Sequence, residues 1–449
     1  MKRIVLVCIL LTAVLVTVPT VVTALPEIPS DRFESSQGCG CHAGLLGQWR
    51  VSMHAKALTD PLYLLKLKEG DEATDGALGP FCNGCHSPIA VMAGELVGID
   101  QSKVSAAGLE GLTCDFCHQV TGTDGPLGNT SVAITGDGTK RAQLTDPMAP
   151  HAAAYSAFHD TAEYCGNCHN VDHPGNGMHL EATYSEWKAG PYAAEGVKCQ
   201  DCHMTPGPGV IEPNPGKAAG SGPARPHIYT MTFAGGNVGL GDAALAEERL
   251  KAAATLEVEL PEIVETGQVA MKTTITNVGA GHYLPTGLTE VRQMWLEVVA
   301  TDADGTELLR ERRDFGSVLK DAEGKYPVEL WEAVAFHSDD RIPPRESTSN
   351  EYAFAMGTGP VTVEATLSYR SCSEEMAEKA GVEIPTTIMA SVKRQVFTSA
   401  QQKTEAREAE TGAEDDGGGG SGVFWVFVLG ALAAAAVAAY VVIKRRTAS

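Results

Sequence analysis

Between Cys82 and His203 the chain spells Cys-x-x-Cys-His four times in 122 residues: Cys82-Asn83-Gly84-Cys85-His86, Cys114-Asp115-Phe116-Cys117-His118, Cys165-Gly166-Asn167-Cys168-His169 and Cys199-Gln200-Asp201-Cys202-His203. This pattern is the attachment signal for c-type haem: two thiols take the two vinyl groups of one porphyrin, and the adjacent histidine supplies an axial nitrogen to the iron. With 12 cysteines and 13 histidines in 449 residues, chance would produce about 0.01 such matches in the whole chain. Zinc ribbons also use Cys-x-x-Cys pairs, but a histidine directly after the second cysteine, four times over, fits zinc poorly. The middle of this part of the chain is therefore expected to be porphyrin rather than aliphatic side chains.

A fifth motif precedes these four. Gly38-Cys39-Gly40-Cys41-His42 keeps the Cys-His ending but has one residue between its cysteines. Glycine on both sides of Cys39 gives the shorter loop conformational freedom. It reads as a fifth haem site with His42 as axial ligand, joined through both thioethers or through Cys41 alone. A disulfide or metal contact by Cys39 and Cys41 is the alternative. Ten cysteines lie in the five motifs, Cys8 lies in the N-terminal apolar run, and Cys372 stands alone. Structural disulfides have almost no cysteines left to use. Cys372 reads as a buried thiol.

The termini set the compartment. Residues 1–24 carry Lys2-Arg3, an apolar run and Val22-Thr23-Ala24, the layout of a secretory signal. Residues 423–443 are 21 apolar residues followed by Lys444-Arg445-Arg446, long enough to span a bilayer with the basic tail (444–449) on the cytoplasmic side. The expected topology is an exported protein, single-pass in the cell membrane, with its body on the extracytoplasmic side. The terminal segments hold five basic residues and no acid. Residues 25–422 are left with 29 basic against 56 acidic side chains, a net charge of −27. Such a surface repels nucleic acid and favours a basic or cationic partner, or serves as a solvated coat.

Gln48-Trp49-Arg50-Val51-Ser52-Met53-His54-Ala55 begins a resemblance to the multihaem cytochromes grouped with the tetrahaem cytochrome of ammonia oxidisers and with hydroxylamine oxidoreductase. Glu110-Gly111-Leu112-Thr113 ahead of Cys114, and Thr183-Tyr184-Ser185-Glu186-Trp187 leading to Cys199, are similar to that family too. The resemblance covers most of residues 38–400. It implies that the histidine of Trp-x-x-Ser-x-His is a distal haem ligand, here His54. It extends that role to His159, in Tyr155-Ser156-Ala157-Phe158-His159, to His151 after Pro150, and to His227 ahead of Thr232-Phe233-Ala234-Gly235-Gly236-Asn237. Asn277-Val278-Gly279-Ala280-Gly281-His282-Tyr283-Leu284-Pro285 resembles a signature whose histidine reaches a haem from a following β domain, with glycines that let backbone approach porphyrin. Tight turn architecture is the alternative for that motif, and likewise for Arg341, which could pair a haem propionate. His179 is held in reserve.

Residues 204–226 are too rich in Pro and Gly for regular structure and read as a loop wrapping back over haem. A helical pattern follows around 240–255. Alternating strands come next at Leu256–Leu260, Val269–Ile275, Met294–Val299 and Val361–Tyr369, with a hairpin turn at Asp302-Ala303-Asp304-Gly305. The fold class is α+β and multidomain. A mostly helical and loop multihaem domain (25–239) and a connecting helix (240–255) lead to an antiparallel β-sandwich-like domain (256–400). An acidic, glycine-rich tether (401–422) and the membrane helix complete it.

Five haems between Cys39 and His203 amount to one per 33 residues, so the porphyrins must pack against each other. The reading is a pentahaem electron carrier with no catalytic residue of its own. Its cofactor is haem c, four by the full motif and a fifth by the short one, and its partners are other redox proteins or extracellular electron donors and acceptors. The alternatives are an oxidoreductase acting on nitrogen or sulfur compounds at an open haem, or a self-assembling filament subunit. Replacing Cys39 and Cys41 together by alanine is expected to lower the haem count per chain from five to four, read by haem-specific absorbance against protein mass. An unchanged count would remove the fifth site.

Overall fold

A computed structural model describes residues 25–415 except 212 and 289, with side chains to residue 407. The signal segment 1–24 and the membrane helix predicted at 423–443 lie outside these residues. Among the described residues no helix is long and apolar enough to cross a membrane.

Residues 25–239 form short helices joined by loops and two-stranded ladders. Side-chain hydrogen bonds start several of these helices. The Asp60 side chain accepts from Leu62 N at 2.9 Å ahead of helix Pro61–Ala73. Thr113 accepts from Phe116 N at 2.9 Å ahead of Cys114–Gln119, and Asp201 accepts from Lys198 N at 2.8 Å ahead of Cys199–His203. Each satisfies one of the amides that a helix start leaves bare. Two of the Cys-x-x-Cys-His motifs, at Cys114 and Cys199, thereby sit on capped helical turns. Aliphatic packing here is sparse: the largest buried cluster has eight members, around Phe33, Ile89, Met92 and Phe116.

The C-terminal part is different. Helix Ala243–Ala253, capped by Asp242, runs directly into strand β1 (Ala254–Glu259). Then come β2 (Gln268–Asn277), β3 (Gln293–Thr301), β4 (Glu307–Phe315), β5 (Ser317–Lys320), β6 (Ala335–Asp339), β7 (Ser347–Ala355), β8 (Val361–Arg370) and β9 (Thr387–Val396). One antiparallel sheet has the order β7-β2-β1, another β4-β3-β8-β9, and β5 pairs with β6. Val298 lies opposite Ala365 and Thr273 opposite Asn350. On β3 every second side chain is buried, the period of a strand with one face on a core. The buried faces of both larger sheets merge into one cluster of 23 residues that includes Ile275, Leu296, Val298, Ala365 and Leu367. This part has one continuous aliphatic core, whereas the haem-motif part has only small separate clusters.

Two expectations change. The acidic stretch read as a tether is helical from Ala400 to Asp415, because Ala, Gln, Glu, Lys and Arg are strong helix formers. Gln402 also ties the helix back, donating to Gly359 O at 2.7 Å and accepting from Thr398 N at 2.9 Å. The loop 204–226 is irregular as expected, apart from a short ladder of Gly216–Lys217 with Ala224–Arg225.

Arg341, read as a turn residue or as a propionate partner, joins the two parts. It pairs with Glu186 on helix Thr183–Ala189 and with Asp339, 2.8 Å away, and its guanidinium lies 5.1 Å from the Tyr283 ring centre. Both side chains of the Arg341–Glu186 pair are nearly buried, at 7% and 6% exposure. Glu186 also accepts from Tyr283 N at 3.1 Å and from Thr286 Oγ1 at 2.7 Å, so the carboxylate is fully used. Arg341→Met would leave that carboxylate buried without its cation. It is expected to destabilise the protein by about 3–5 kcal/mol, measured by urea unfolding; a change below about 1 kcal/mol would show the pair to be solvated.

Candidate functional site

The short motif folds as two consecutive 3-10 turns, Ser36–Gly38 and Gly40–His42, running into helix Ala43–Val51. Ser36, fully buried beneath it, accepts from Cys114 N at 3.1 Å, and its own amide donates to Glu110 Oε2 at 2.8 Å. The Cys39 thiol lies against the Cys114 sulfur. The first motif is thus built onto the third.

A recurrent hydrogen bond aims the motif histidines. His42 Nδ1 donates to Ala218 O at 2.6 Å, His86 Nδ1 to Ala57 O at 2.7 Å, His118 Nδ1 to Arg141 O at 2.6 Å and His203 Nδ1 to Ala234 O at 2.8 Å. Using Nδ1 this way leaves Nε2 as the lone-pair nitrogen, the form in which imidazole binds a metal. The fifth, His169, donates Nδ1 to the Glu181 carboxylate at 3.3 Å.

Opposite four of these rings stands a second imidazole. Ring centres are 6.4 Å apart for His42 and His151, 5.9 Å for His118 and His159, 6.2 Å for His169 and His54, and 6.2 Å for His203 and His282. Two imidazoles sharing one metal through bonds of about 2.0 Å, each ring centre roughly 1.1 Å behind its nitrogen, stand about 6.2 Å apart. The donor set therefore fits an axially ligated haem iron at four positions. Among the described residues no cluster of three or more His, Cys, Asp or Glu converges as a bare metal site.

Burial favours the neutral form at five of these imidazoles. Burial pushes His54 down to about 3, with the His169, His203 and His86 rings adding to the shift. Burial likewise brings His203 and His159 down to about 4 and lowers His86 and His118. His169 goes the other way: burial lowers it, but the Glu181 carboxylate outweighs burial and carries it up to about 9.

The distal residues are held by specific contacts. His54 O accepts from Leu112 N at 3.0 Å, and Trp49 Nε1 donates to Leu112 O at 2.8 Å. This ties the Trp-x-x-Ser-x-His stretch to Glu110–Thr113. Gly111 between them has φ +69, and a Cβ there would lie 2.7 Å from His54 O, so only glycine permits the approach. His282 O accepts from Asn277 Nδ2 at 3.0 Å, and His282 Nδ1 donates to Tyr283 O at 2.8 Å. Gly279 answers a different need from the one expected: a Cβ would meet the Ala252 carbonyl at 2.3 Å. His159 Nε2 donates to Cys117 O at 3.1 Å, while its Nδ1 is buried and has no hydrogen-bond partner.

His227 does not join this set. Its ring packs edge-on to Tyr229, 4.6 Å between centres, and Nδ1 accepts from Asn214 N at 3.2 Å. The neighbouring stretch contributes differently: Ala234 supplies the acceptor for His203, and the Phe233 ring lies 4.4 Å from that of His54. The reserve candidate His179 is paired with Asp172. Among the described residues the ring contact of His86 is with Tyr63, face to face at 3.6 Å. The Tyr63 hydroxyl donates to Asn83 Oδ1 at 2.6 Å inside the same motif. Four of the five candidate distal histidines thus stand opposite a motif histidine, and His227 Nε2 is buried without a hydrogen-bond partner.

Thiols of different motifs also touch: Cys39 with Cys114, Cys168 with Cys85, and Cys165 with Cys199. All eleven described cysteines are free of disulfides, and Cys372 is fully buried near Leu62 and Ala377. Glu181 and Tyr63 had no signal in the sequence, since each acts through a contact that no spacing rule foretells.

Residues 39–119, which hold three of the five motifs, match the family described as cytochrome c554 and c-prime. A crystal structure of a penta-heme cytochrome c552 from Thermochromatium tepidum superposes on 82% of this chain and 100% of its own, with a TM-score of 0.62 and 21% identity. That likeness shows a shared fold across both the haem-motif and the β-sheet parts. A β-glucuronidase from Bacteroides uniformis covers 32% of this chain and 13% of its own at 12% identity, with a TM-score of 0.17 that bears no argument. No curated protein sequence matches the chain. Residues 39–119 are thus similar to the cytochrome c554 and c-prime family, and the chain that carries them is a multihaem c-type cytochrome.

Proposed function

We propose that this protein is an exported, membrane-anchored electron carrier holding five haems c in contact with one another. The observation that carries the reading is the four imidazole pairs at 5.9–6.4 Å, each joining a motif histidine to one from elsewhere in the chain. His42, His86, His118, His169 and His203 are assigned as proximal ligands, and His151, His159, His54 and His282 as distal ligands to all but the His86 site. The ten motif cysteines form the thioethers. When bound, haem supplies a one-electron iron couple whose potential is set by ligands and surroundings.

The chain's own residues do the rest. The four imidazole pairs would hold haem between them and keep water and substrate from its iron, so those sites would exchange electrons without changing ligands. The hydrogen bonds at Nδ1 fix ring orientation, so little rearrangement accompanies each transfer. The thiol contacts support an order in which the His42 site adjoins the His118 site, and the His169 site adjoins both the His86 and His203 sites. Export and anchoring rest on residues 1–24 and 423–446, and the net charge of −27 favours a basic redox partner.

A second reading is favoured by the His86 site, where Tyr63 flanks the proximal ring and no imidazole pair forms. A haem held there by His86 would have no second imidazole opposite it, and a small nitrogen or sulfur compound could be turned over at that face. Spin states separate these ideas. The oxidised protein is expected to show four low-spin haems and one high-spin haem by electron paramagnetic resonance. Single alanine variants of His54, His151, His159 and His282 should each convert one more haem to high spin, whereas His227→Ala should convert none. If nitrite or hydroxylamine shifts the native high-spin signal, the second reading stands. If all five haems are low-spin, the open face at the His86 site fails.

A further inference from the structure

We propose that Glu181 sets the potential of one haem, making the site of Cys165, Cys168 and His169 the hardest of the five to reduce. The inference rests on the haem-carrier reading above and adds a tuning residue to it.

Of the five motif imidazoles, four donate Nδ1 to neutral backbone carbonyls and one to a carboxylate oxygen. A carbonyl carries only a partial charge, whereas a carboxylate draws the Nδ1 proton toward itself and leaves imidazolate character on the ring. A more basic axial ligand, with a full negative charge behind it, favours ferric over ferrous iron and lowers the midpoint potential.

The carboxylate is held for this contact. Val171, two residues past His169, is paired across a short antiparallel ladder with Glu181 itself. Thr183 Oγ1 donates to the same Oε1 at 3.1 Å, and that hydroxyl is in turn 2.9 Å from Thr286 Oγ1 on the β-sheet side. Tyr184 N donates to His169 O at 3.0 Å, and Ser185 Oγ donates to Asn170 Oδ1 at 2.7 Å. His169 and residues 181–185 are thus locked to one another on both sides of the ring.

Position gives the tuning a consequence. Cys168 touches Cys85 and Cys165 touches Cys199, so this site lies between the His86 and His203 sites. Electrons would rest on either flank and cross the middle by an activated hop. Glu181 therefore acts as a positioning residue that partitions charge along the chain.

The test is a spectroelectrochemical redox titration of the full-length haem-loaded protein and of Glu181→Gln, which keeps the shape and a hydrogen-bond acceptor but removes the charge. One midpoint is expected to rise at least tenfold in its reduction equilibrium, which for one electron is about 59 mV, with haem count, spin states and the other four midpoints unchanged. Five unchanged midpoints, or a rise spread over several haems, would overturn the proposal. Should the variant not fold, the wild type still decides. Its lowest-midpoint low-spin signal is expected to be the one lost in His54→Ala, and loss of a different signal refutes the role of Glu181. A failed carrier reading looks different, as a wrong haem count or wrong spin states in the unmodified protein.

Discussion

The hydrogen bond from Nδ1 of each motif histidine is the contact on which this architecture depends. An imidazole has two nitrogens and can offer iron only the one that is not committed elsewhere. Four backbone carbonyls and one carboxylate make that commitment. Three of the acceptors, at Ala57, Ala218 and Ala234, lie on segments far in sequence from the ring they orient. Folding and ligand orientation are thereby the same event, because the loops that close over each site are the loops that aim it.

This explains the unequal distribution of aliphatic core. Residues 254–397 carry a continuous cluster between two sheets, and they give the molecule a part whose packing needs no cofactor. The haem-motif part has only small satellite clusters, consistent with porphyrin filling the space among its short helices. The β part is nonetheless not a bystander. It presents His282 opposite His203 at 6.2 Å and clamps the preceding loop through Arg341 and Glu186. A buried ion pair is a costly device for joining two parts. Its worth lies in register, since it places Tyr283 and Thr286 on the same carboxylate that faces the haem-motif helices.

Much of this was legible in the residues themselves. The motif cysteines and histidines could be named without any structure, and so could the strands around Val269, Leu296 and Val363, because alternation reports a half-buried strand directly. The resemblance carried by Trp49–His54 and by Asn277–Pro285 pointed to His54 and His282. It was less informative where a polar side chain could choose among partners. Arg341 was open to a propionate and met Glu186 instead, since a carboxylate on a neighbouring helix was already within reach. His227 had a family context but packs on Tyr229. Gly279 was expected to admit porphyrin and in fact admits the Ala252 carbonyl. The acidic run after residue 400 read as a tether because charge suggests solvation, yet its residue types favour helix and Gln402 anchors it.

The sequence by itself determined which residues form the haem-attachment motifs and which stretches form the β part, because those properties reside in neighbours along the chain: short Cys-His motifs and a two-residue period. Only the tertiary structure decided which imidazole stands opposite which, that His86 meets Tyr63, and that His169 alone among the motif histidines has a carboxylate behind it. Those outcomes depend on distances between segments up to 115 residues apart, as for His54 and His169. Nothing in local spacing encodes them, since a loop rich in proline and glycine can present any of several carbonyls until packing selects one.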